Sequence, residues 1–219
     1  MSNLSIATHR PESPGVVAAY LDWLQMLTGA ALILFMWAHM ILVSSVIIGP
    51  GVMNAIARFF EFTYMAQLGG PAIFAMFLVH FILASRKLPF RTAEQKVMWA
   101  NAKRLDHQDT WLWMIQAGTA MIILIMGAIH MWVVLTDLPI SAAKSAARIQ
   151  TGWWLIFYLC LLPMVELHVG IGLYRIAVKW GFVGRKGRGG FKVKENLITY
   201  IFIGIGVLTL IRFMFLAVK

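Results

Sequence analysis

Five apolar stretches dominate this sequence, and each is near or above the roughly 20 residues that an α-helix needs to cross a bilayer. They run over Leu21–Ile48, Tyr64–Ser85, Thr110–Leu135, Gly152–Val178 and Leu197–Val218. Hydrophobic residues make up 60% of the chain, against about 45–50% in a soluble domain. The sequence therefore predicts an all-α integral membrane bundle of five transmembrane helices, with residues 1–219 forming a single membrane domain.

The net charge of +10 is concentrated in two of the four loops between the spans. Spans two and three are separated by Arg86, Lys87, Arg91, Lys96, Lys103 and Arg104, and spans four and five by Lys179, Arg185, Lys186, Arg188, Lys192 and Lys194. The positive-inside rule places these loops and the N-terminus in the cytoplasm and the C-terminus outside. This distribution argues against nucleic acid as a partner and suits an acidic cytoplasmic protein.

Four of the six histidines lie inside predicted spans, one in each of the first four, whereas His9 and His107 fall in polar segments. The four are His39, His80, His130 and His168. A single imidazole in a span is commonly an interhelical hydrogen-bond partner. Four in four separate helices favour a metal-binding function. The predicted topology places two of them toward the outer face and two in the inner half, at levels about 10–20 Å apart.

Two imidazoles at each level suggest two metal centres stacked across the membrane. Neutral imidazole suits iron, copper or zinc. A pair of nitrogens from facing helices matches axial ligation of a haem, whose macrocycle supplies the other four ligands. Because the sequence contains no Cys-x-x-Cys-His motif, covalent c-type attachment is excluded, and we expect two bis-histidine b-type haems.

Charged residues at helical spacing extend this hypothesis. Arg175 and Lys179 follow His168 by seven and eleven residues, on nearly the same helix face. They are candidates for haem-propionate contacts, although snorkelling to the interface would explain them equally well. Glu166 lies near mid-membrane, where a carboxyl group suggests a proton relay or a neutral acid bonded to a carbonyl. Glu61 lies near the end of a short amphipathic segment at the outer level, either as a solvated acid or as a proton acceptor for a quinol.

These residues resemble the di-haem cytochrome b anchor of the quinol:fumarate reductase and succinate:quinone oxidoreductase family, single-anchor type. The likeness covers the five spans, their orientation and the order of the histidines. It implies that His80 and His168 bind the iron of an inner haem. It likewise implies that His39 and His130 bind the iron of an outer haem.

Further site residues follow from the same resemblance. It implies propionate contacts from Gln25, Trp113 and Lys179. Glu61 resembles the acid beside the menaquinol oxidation site, and Glu166 resembles the acid that carries protons to compensate transmembrane electron transfer. With both acids present, the chain is more similar to a menaquinol:fumarate reductase anchor than to a succinate dehydrogenase anchor.

The implied activity belongs to a complex in the bacterial cytoplasmic membrane. Menaquinol would be oxidised at the outer side, and electrons would pass through both haems to a cytoplasmic iron–sulfur subunit. A flavoprotein subunit with FAD would then reduce fumarate, so the dicarboxylate chemistry would lie on another subunit. The resemblance also leaves room for a dimer of heterotrimers.

Three alternatives remain open from the sequence. The chain could be a succinate:quinone reductase anchor in the tricarboxylic acid cycle, rather than a subunit for anaerobic respiration with fumarate. It could also be the di-haem cytochrome b of a membrane hydrogenase or formate dehydrogenase. A haem-free proton channel or transporter that uses histidine and glutamate relays is the third.

Overall fold

The computed structural model describes residues 15–217, and in this range the chain forms helices and short connections without any β-strand. In chain order the α-helices are α1 Val16–Ser44, α2 Pro50–Phe62, α3 Gly70–Ser85, α4 Thr92–Leu105, α5 Gln108–Leu135, α6 Ala142–Gln150, α7 Trp153–Lys179 and α8 Arg188–Met214. Short 3₁₀ and π-helical turns precede α3 and α8 and follow α1.

Within the described residues, five helical segments are long and apolar enough to cross a membrane. They are Val16–Ile47, Met65–Ser85, Gln108–Leu135, Trp153–Lys179 and Arg185–Met214. The prediction of an all-α bundle with five membrane helices is therefore confirmed. His9 lies outside the described residues, and the exposed His107 accepts a hydrogen bond from the Asp109 backbone N–H at the start of α5.

The two ends of the bundle differ in chemistry. At the end that we call the basic end, Asp22 of α1 forms ion pairs with Arg86 beyond α3 and with Lys179 of α7. Asp109 of α5 pairs with Arg188 of α8 at the same end. These contacts place the starts of α1, α5 and α8 beside the ends of α3 and α7, which makes the neighbouring helices α1–α3 and α5–α7 antiparallel.

The opposite end, which we call the capped end, is closed by the short helices α2 and α6. Their apolar faces form a buried cluster with the ends of α1 and α8, comprising Leu42, Val46, Met53, Ala57, Ala142, Ala146, Ile149, Leu210 and Phe213. The Asn54 side-chain oxygen accepts from the Ala142 backbone N–H at 2.8 Å, and Gln150 donates to the Phe213 carbonyl at 2.9 Å. Polar side chains thus satisfy helix-terminal groups that would otherwise lack partners.

The structure differs from the sequence prediction in the connections. The amphipathic segment after span one is helical, as predicted, and forms α2. Helices α4 and α6 occupy stretches that hydropathy assigned to loops, because short polar helices do not register as spans. In α6 the start is fixed by Ser141, whose hydroxyl accepts from the Lys144 backbone N–H at 3.2 Å.

The last membrane helix begins at Arg188, nine residues before the predicted start at Leu197. The additional turns contain charged residues that lower the hydropathy. In the structure, however, Lys192 and Glu195 are buried and paired with each other, and Glu195 accepts from the Thr199 hydroxyl at 3.0 Å. The helix is therefore longer than its apolar part because this buried polar group packs against α7.

Gly170 of α7 makes that packing possible. A Cβ atom at this position would collide with the Glu195 carboxylate and the Thr199 hydroxyl of α8. We expect Gly170→Ala to push the two helices apart and to lower the free energy of unfolding by about 1–3 kcal/mol. The change should appear as a lower melting temperature of the detergent-purified protein.

Gly204→Ala is the matched control on α8, because in the described part of the chain no atom lies within 4 Å of its added Cβ. A melting temperature for Gly170→Ala equal to that of Gly204→Ala would contradict the close approach of α7 and α8.

Candidate functional site

A cavity of about 860 Å³ runs through the interior of the bundle. All four membrane histidines lie on its wall: His39 on α1, His80 on α3, His130 on α5 and His168 on α7. Its wall also includes Asp22 at the basic end and Asp137 at the capped end. The cavity therefore extends along the bundle with polar groups at both ends and imidazoles between them.

His39 and His130 face each other near the capped end. Their ring centroids are 5.9 Å apart, with an angle of 65° between the ring planes. The Nδ1 atom of His130 forms a hydrogen bond of 2.9 Å with the Tyr158 hydroxyl of α7, and the His39 ring stacks on Phe35 at 5.8 Å. The second nitrogen of His130 is consequently left for another partner.

His80 and His168 are anchored closer to the basic end. The Nδ1 atom of His80 forms a hydrogen bond of 3.0 Å with the Thr28 hydroxyl, and that of His168 lies 3.1 Å from the Gln116 carbonyl. Since a carbonyl only accepts, Nδ1 of His168 carries the hydrogen and Nε2 is the unprotonated nitrogen of a neutral ring. The Thr119 hydroxyl also lies 3.2 Å from this Nδ1.

These contacts define two levels of imidazoles in the cavity. On α1, the Thr28 that binds His80 precedes His39 by eleven residues. On α5, the Gln116 that binds His168 precedes His130 by fourteen. At about 1.5 Å per residue, these separations place the second pair about 16–21 Å from the first.

The donor set of each level fits a metal held by two imidazoles and further ligands from a bound group. Among residues 15–217, no group of three or more His, Cys, Asp and Glu side chains could hold a metal ion by itself. The 5.9 Å between the His39 and His130 rings is compatible with one metal between them, given metal–nitrogen bonds of about 2 Å. A histidine that binds a metal usually donates its other ring N–H to a protein group, which fixes the orientation of the ring.

The predicted propionate contacts Gln25, Trp113, Arg175 and Lys179 all line the cavity. Arg175 donates to the side-chain oxygen of Gln116 at 2.6 Å, so this arginine is held inside the bundle and does not extend to its surface. The side-chain oxygen of Gln25 is buried, and among the described residues it has no hydrogen-bond partner. A buried amide without a partner indicates that a bound group completes this part of the site.

A cluster of opposite charges lies at each end of the cavity. At the basic end, Asp22 contacts Lys87 at 2.6 Å and Lys179 at 2.7 Å. At the capped end, Asp137 contacts Lys144 at 2.9 Å and Arg148 at 2.8 Å. The hydrogen bond from Lys144 holds the pKa of Asp137 below its ordinary value, so that carboxyl group is ionised.

The two candidate acids lie in different surroundings. Glu166 is buried and lies on the cavity wall. Glu61 is partly buried near the end of α2. In the described part of the chain it is not among the residues that line the cavity, although the neighbouring Phe60 is.

The sequence reasoning missed the residues that orient the histidines, chiefly Thr28, Thr119 and Tyr158. Two of them carried a signal. Thr28 precedes His39 by eleven residues, and Thr119 precedes His130 by the same number. Eleven residues return to within about 20° of the same helix face, so each of these helices presents a histidine at one level and a threonine at the other. Tyr158 had no comparable signal, because it is not spaced by eleven residues from a histidine on its own helix.

Comparison with known proteins adds independent information. The profile of the succinate dehydrogenase/fumarate reductase transmembrane subunit family matches residues 92–210. The chain is 36% identical over 204 residues to the fumarate reductase cytochrome b subunit of Wolinella succinogenes, covering 87% of this chain and 80% of that protein. It is 37% identical over 202 residues to the protein of the same name from Helicobacter pylori, covering 88% of this chain and 79% of the relative.

The position of His80 can be tested through Gly29 of α1. A Cβ atom at Gly29 would lie 2.9 Å from Cε1 of the His80 ring, so Gly29→Ala should displace the ring and break its hydrogen bond with Thr28. Given the sequence prediction of one haem at each level, we expect this variant to lose the haem at the His80 level and to retain the other, measured as half the haem content of the purified protein.

Gly118→Ala on α5 is the control, since in the described part of the chain no atom lies within 4 Å of its added Cβ. Full haem content in Gly29→Ala would show that the space beside His80 is not needed.

Proposed function

The chain belongs to the succinate dehydrogenase/fumarate reductase transmembrane subunit family, and on this premise we propose that it is the di-haem cytochrome b subunit of a fumarate reductase complex. As a transmembrane subunit with five membrane helices, it is a multi-pass membrane protein. The bacterial cytoplasmic membrane predicted from the sequence agrees with both findings.

The observation that carries the proposal is the arrangement of four histidines as two pairs at two levels of one cavity. His80 and His168 would hold the inner haem, and His39 and His130 the outer haem. Each b-type haem, when bound, supplies a one-electron carrier. The chain's part is to fix the imidazole orientation through Thr28, Gln116 and Tyr158 and to keep both levels inside an apolar bundle.

Haem propionates need cations or hydrogen-bond donors. For the inner haem, Gln25, Trp113, Arg175 and Lys179 line the cavity on the side of the basic end. For the outer haem, Lys144 and Arg148 line it at the capped end. The cavity therefore offers cationic groups at both ends, each beside an aspartate, and a largely apolar wall between them.

We assign menaquinol oxidation to the region of Glu61. This acid lies at the capped end, beside Phe60 of the cavity wall and at the end of the bundle that holds the outer histidine pair. Oxidation of a quinol releases two electrons and two protons, and the Glu61 carboxylate would accept a proton as the electrons leave toward the outer haem. A carboxylate in this position acts as a general base.

Glu166 is proposed to carry protons across the membrane. Its side chain is buried on the wall of the cavity, two residues before His168 and therefore toward the outer level. A lone carboxyl group in the hydrocarbon region costs free energy, and groups retained there commonly belong to proton relays. Transfer of protons in the same direction as the electrons would compensate the charge that the electrons move.

The partners would be an iron–sulfur subunit and a flavoprotein with FAD on the cytoplasmic side. The basic end carries the two cation-rich loops, which suit an acidic docking surface and, by the positive-inside rule, face the cytoplasm. Electrons would leave the inner haem here, and fumarate would be reduced on the flavoprotein. The assembly of two such heterotrimers into a dimer is part of the same hypothesis.

The comparisons favour a fumarate reductase anchor over a hydrogenase or formate dehydrogenase cytochrome, because the matched relatives bear the former name. A succinate:quinone reductase anchor differs only in the direction of electron flow. A haem-free channel would be colourless when purified, whereas either anchor would be coloured by its haem.

Haem content tests the core of the proposal. We expect two haems b per chain in a pyridine haemochrome assay of the purified complex, and one in the His130→Ala variant, with the inner-haem spectrum preserved. His107→Ala, at the exposed start of α5, should keep both haems. A wild-type complex with one haem or none would refute the di-haem assignment, and two haems in His130→Ala would refute the pairing.

Glu61→Gln separates quinol chemistry from haem binding. We expect menaquinol oxidation to fall by about 10²-fold or more, because the variant cannot accept a proton, while both haems remain. Reduction of fumarate with a soluble donor that bypasses the quinol should be unchanged. Glu94→Gln on the exposed start of α4 is the control, and wild-type quinol turnover in Glu61→Gln would exclude the proton role.

A further inference from the structure

At each end of the cavity one aspartate forms ion pairs with several lysine or arginine side chains. Asp22 binds the adjacent Arg86 and Lys87 after α3 and the distant Lys179 at the end of α7. Asp137 binds Lys144 and Arg148 of α6. Both aspartates line the cavity, as do Lys87 and Lys179 at the basic end and Lys144 and Arg148 at the capped end. Four of the five lysines and arginines that line the cavity are therefore already paired with carboxylates of the chain, and the fifth, Arg175, is bound to the Gln116 side chain.

Without such a carboxylate, the like charges at each end would repel one another and would not be held in one orientation. Lys179 illustrates this contact: its side chain is half-exposed, yet its ammonium group lies 2.7 Å from the carboxylate of a residue 157 positions earlier in the chain. Ammonium and guanidinium groups bind any carboxylate of suitable geometry. A haem carboxylate arriving at the same place would meet cations that are already oriented.

We propose that Asp22 and Asp137 are positioning residues for the two haems. Each holds the cations at one end of the cavity for the carboxylates of the nearer haem, and its negative charge sets the midpoint potential of that haem. This inference rests on the proposed function, because it requires a haem at each level.

The positions of the two aspartates along the helices make them selective. On α1, Asp22 precedes Thr28, the partner of His80, by six residues and His39 by seventeen. These separations correspond to about 9 Å and about 26 Å. Asp137 follows His130 by seven residues and Thr119, the partner of His168, by eighteen. Each charge is thus about 15 Å closer to one level of imidazoles than to the other.

The sign of the effect follows from Coulomb's law. Reduction adds one electron to a haem, and a nearby negative charge opposes this step. Neutralising Asp22 should therefore raise the midpoint potential of the inner haem. Removing a cation from the same cluster should lower it. Both effects weaken with distance, so the remote haem serves as an internal reference within each molecule.

The experiment is a redox titration of the intact complex, followed by absorbance and by electron paramagnetic resonance so that the two haems are resolved. Asp22→Asn should shift the inner haem to a more positive potential, and Lys87→Gln should shift it to a more negative one, with the outer haem unchanged. Asp137→Asn should shift the outer haem alone, to a more positive potential. Asp22→Glu retains the charge and should restore the wild-type potentials.

Equal shifts of both haems in any single variant, or unchanged potentials in all of them, would overturn the inference. If Asp22→Asn fails to assemble, Lys87→Gln still tests the inner haem and Asp137→Asn still tests the outer haem. A wild-type complex without two b-haems would refute the proposed function itself. Two haems whose potentials ignore these substitutions would refute only the role of the aspartates.

Discussion

The hydrogen bonds that hold the imidazoles are the constraint on which the rest of the structure depends. A buried polar ring is costly unless its nitrogens have partners. In this bundle the Nδ1 atoms of His80, His130 and His168 are each bound by a group from a neighbouring helix. These bonds fix the relative positions of α1 with α3 and of α5 with α7. They also leave the second nitrogen of each of these rings available to another partner.

The helix packing provides the space that these rings require. Gly29 lies against His80, and Gly170 leaves space for the buried polar group of α8 that includes Glu195. The short helices α2 and α6 then close one end of the cavity with an apolar cluster. The result is a bundle whose helices pack closely at these contacts and which encloses a cavity with clustered ion pairs at its two ends.

Hydropathy predicted the five membrane helices because burial in lipid is decided by local composition over about 20 residues. It failed where charged residues are buried against other helices. At the start of α8, Lys192 and Glu195 lower the hydropathy, yet they are paired and buried in the structure. Helices α4 and α6 were missed for a different reason, since both are short and polar and lie in connections between spans.

The sequence by itself determined the four membrane histidines, their helices and their order along the bundle, because a polar residue within an apolar run is visible from composition alone. It also indicated two levels, because the rise per residue is constant along a helix. Only the tertiary structure decided the partners: Thr28 for His80, Tyr158 for His130, and the cations held by Asp22 and Asp137. Most of these contacts join residues 28 to 157 positions apart in the chain. No local pattern encodes such pairs, because side-chain orientation and helix packing together select which groups meet.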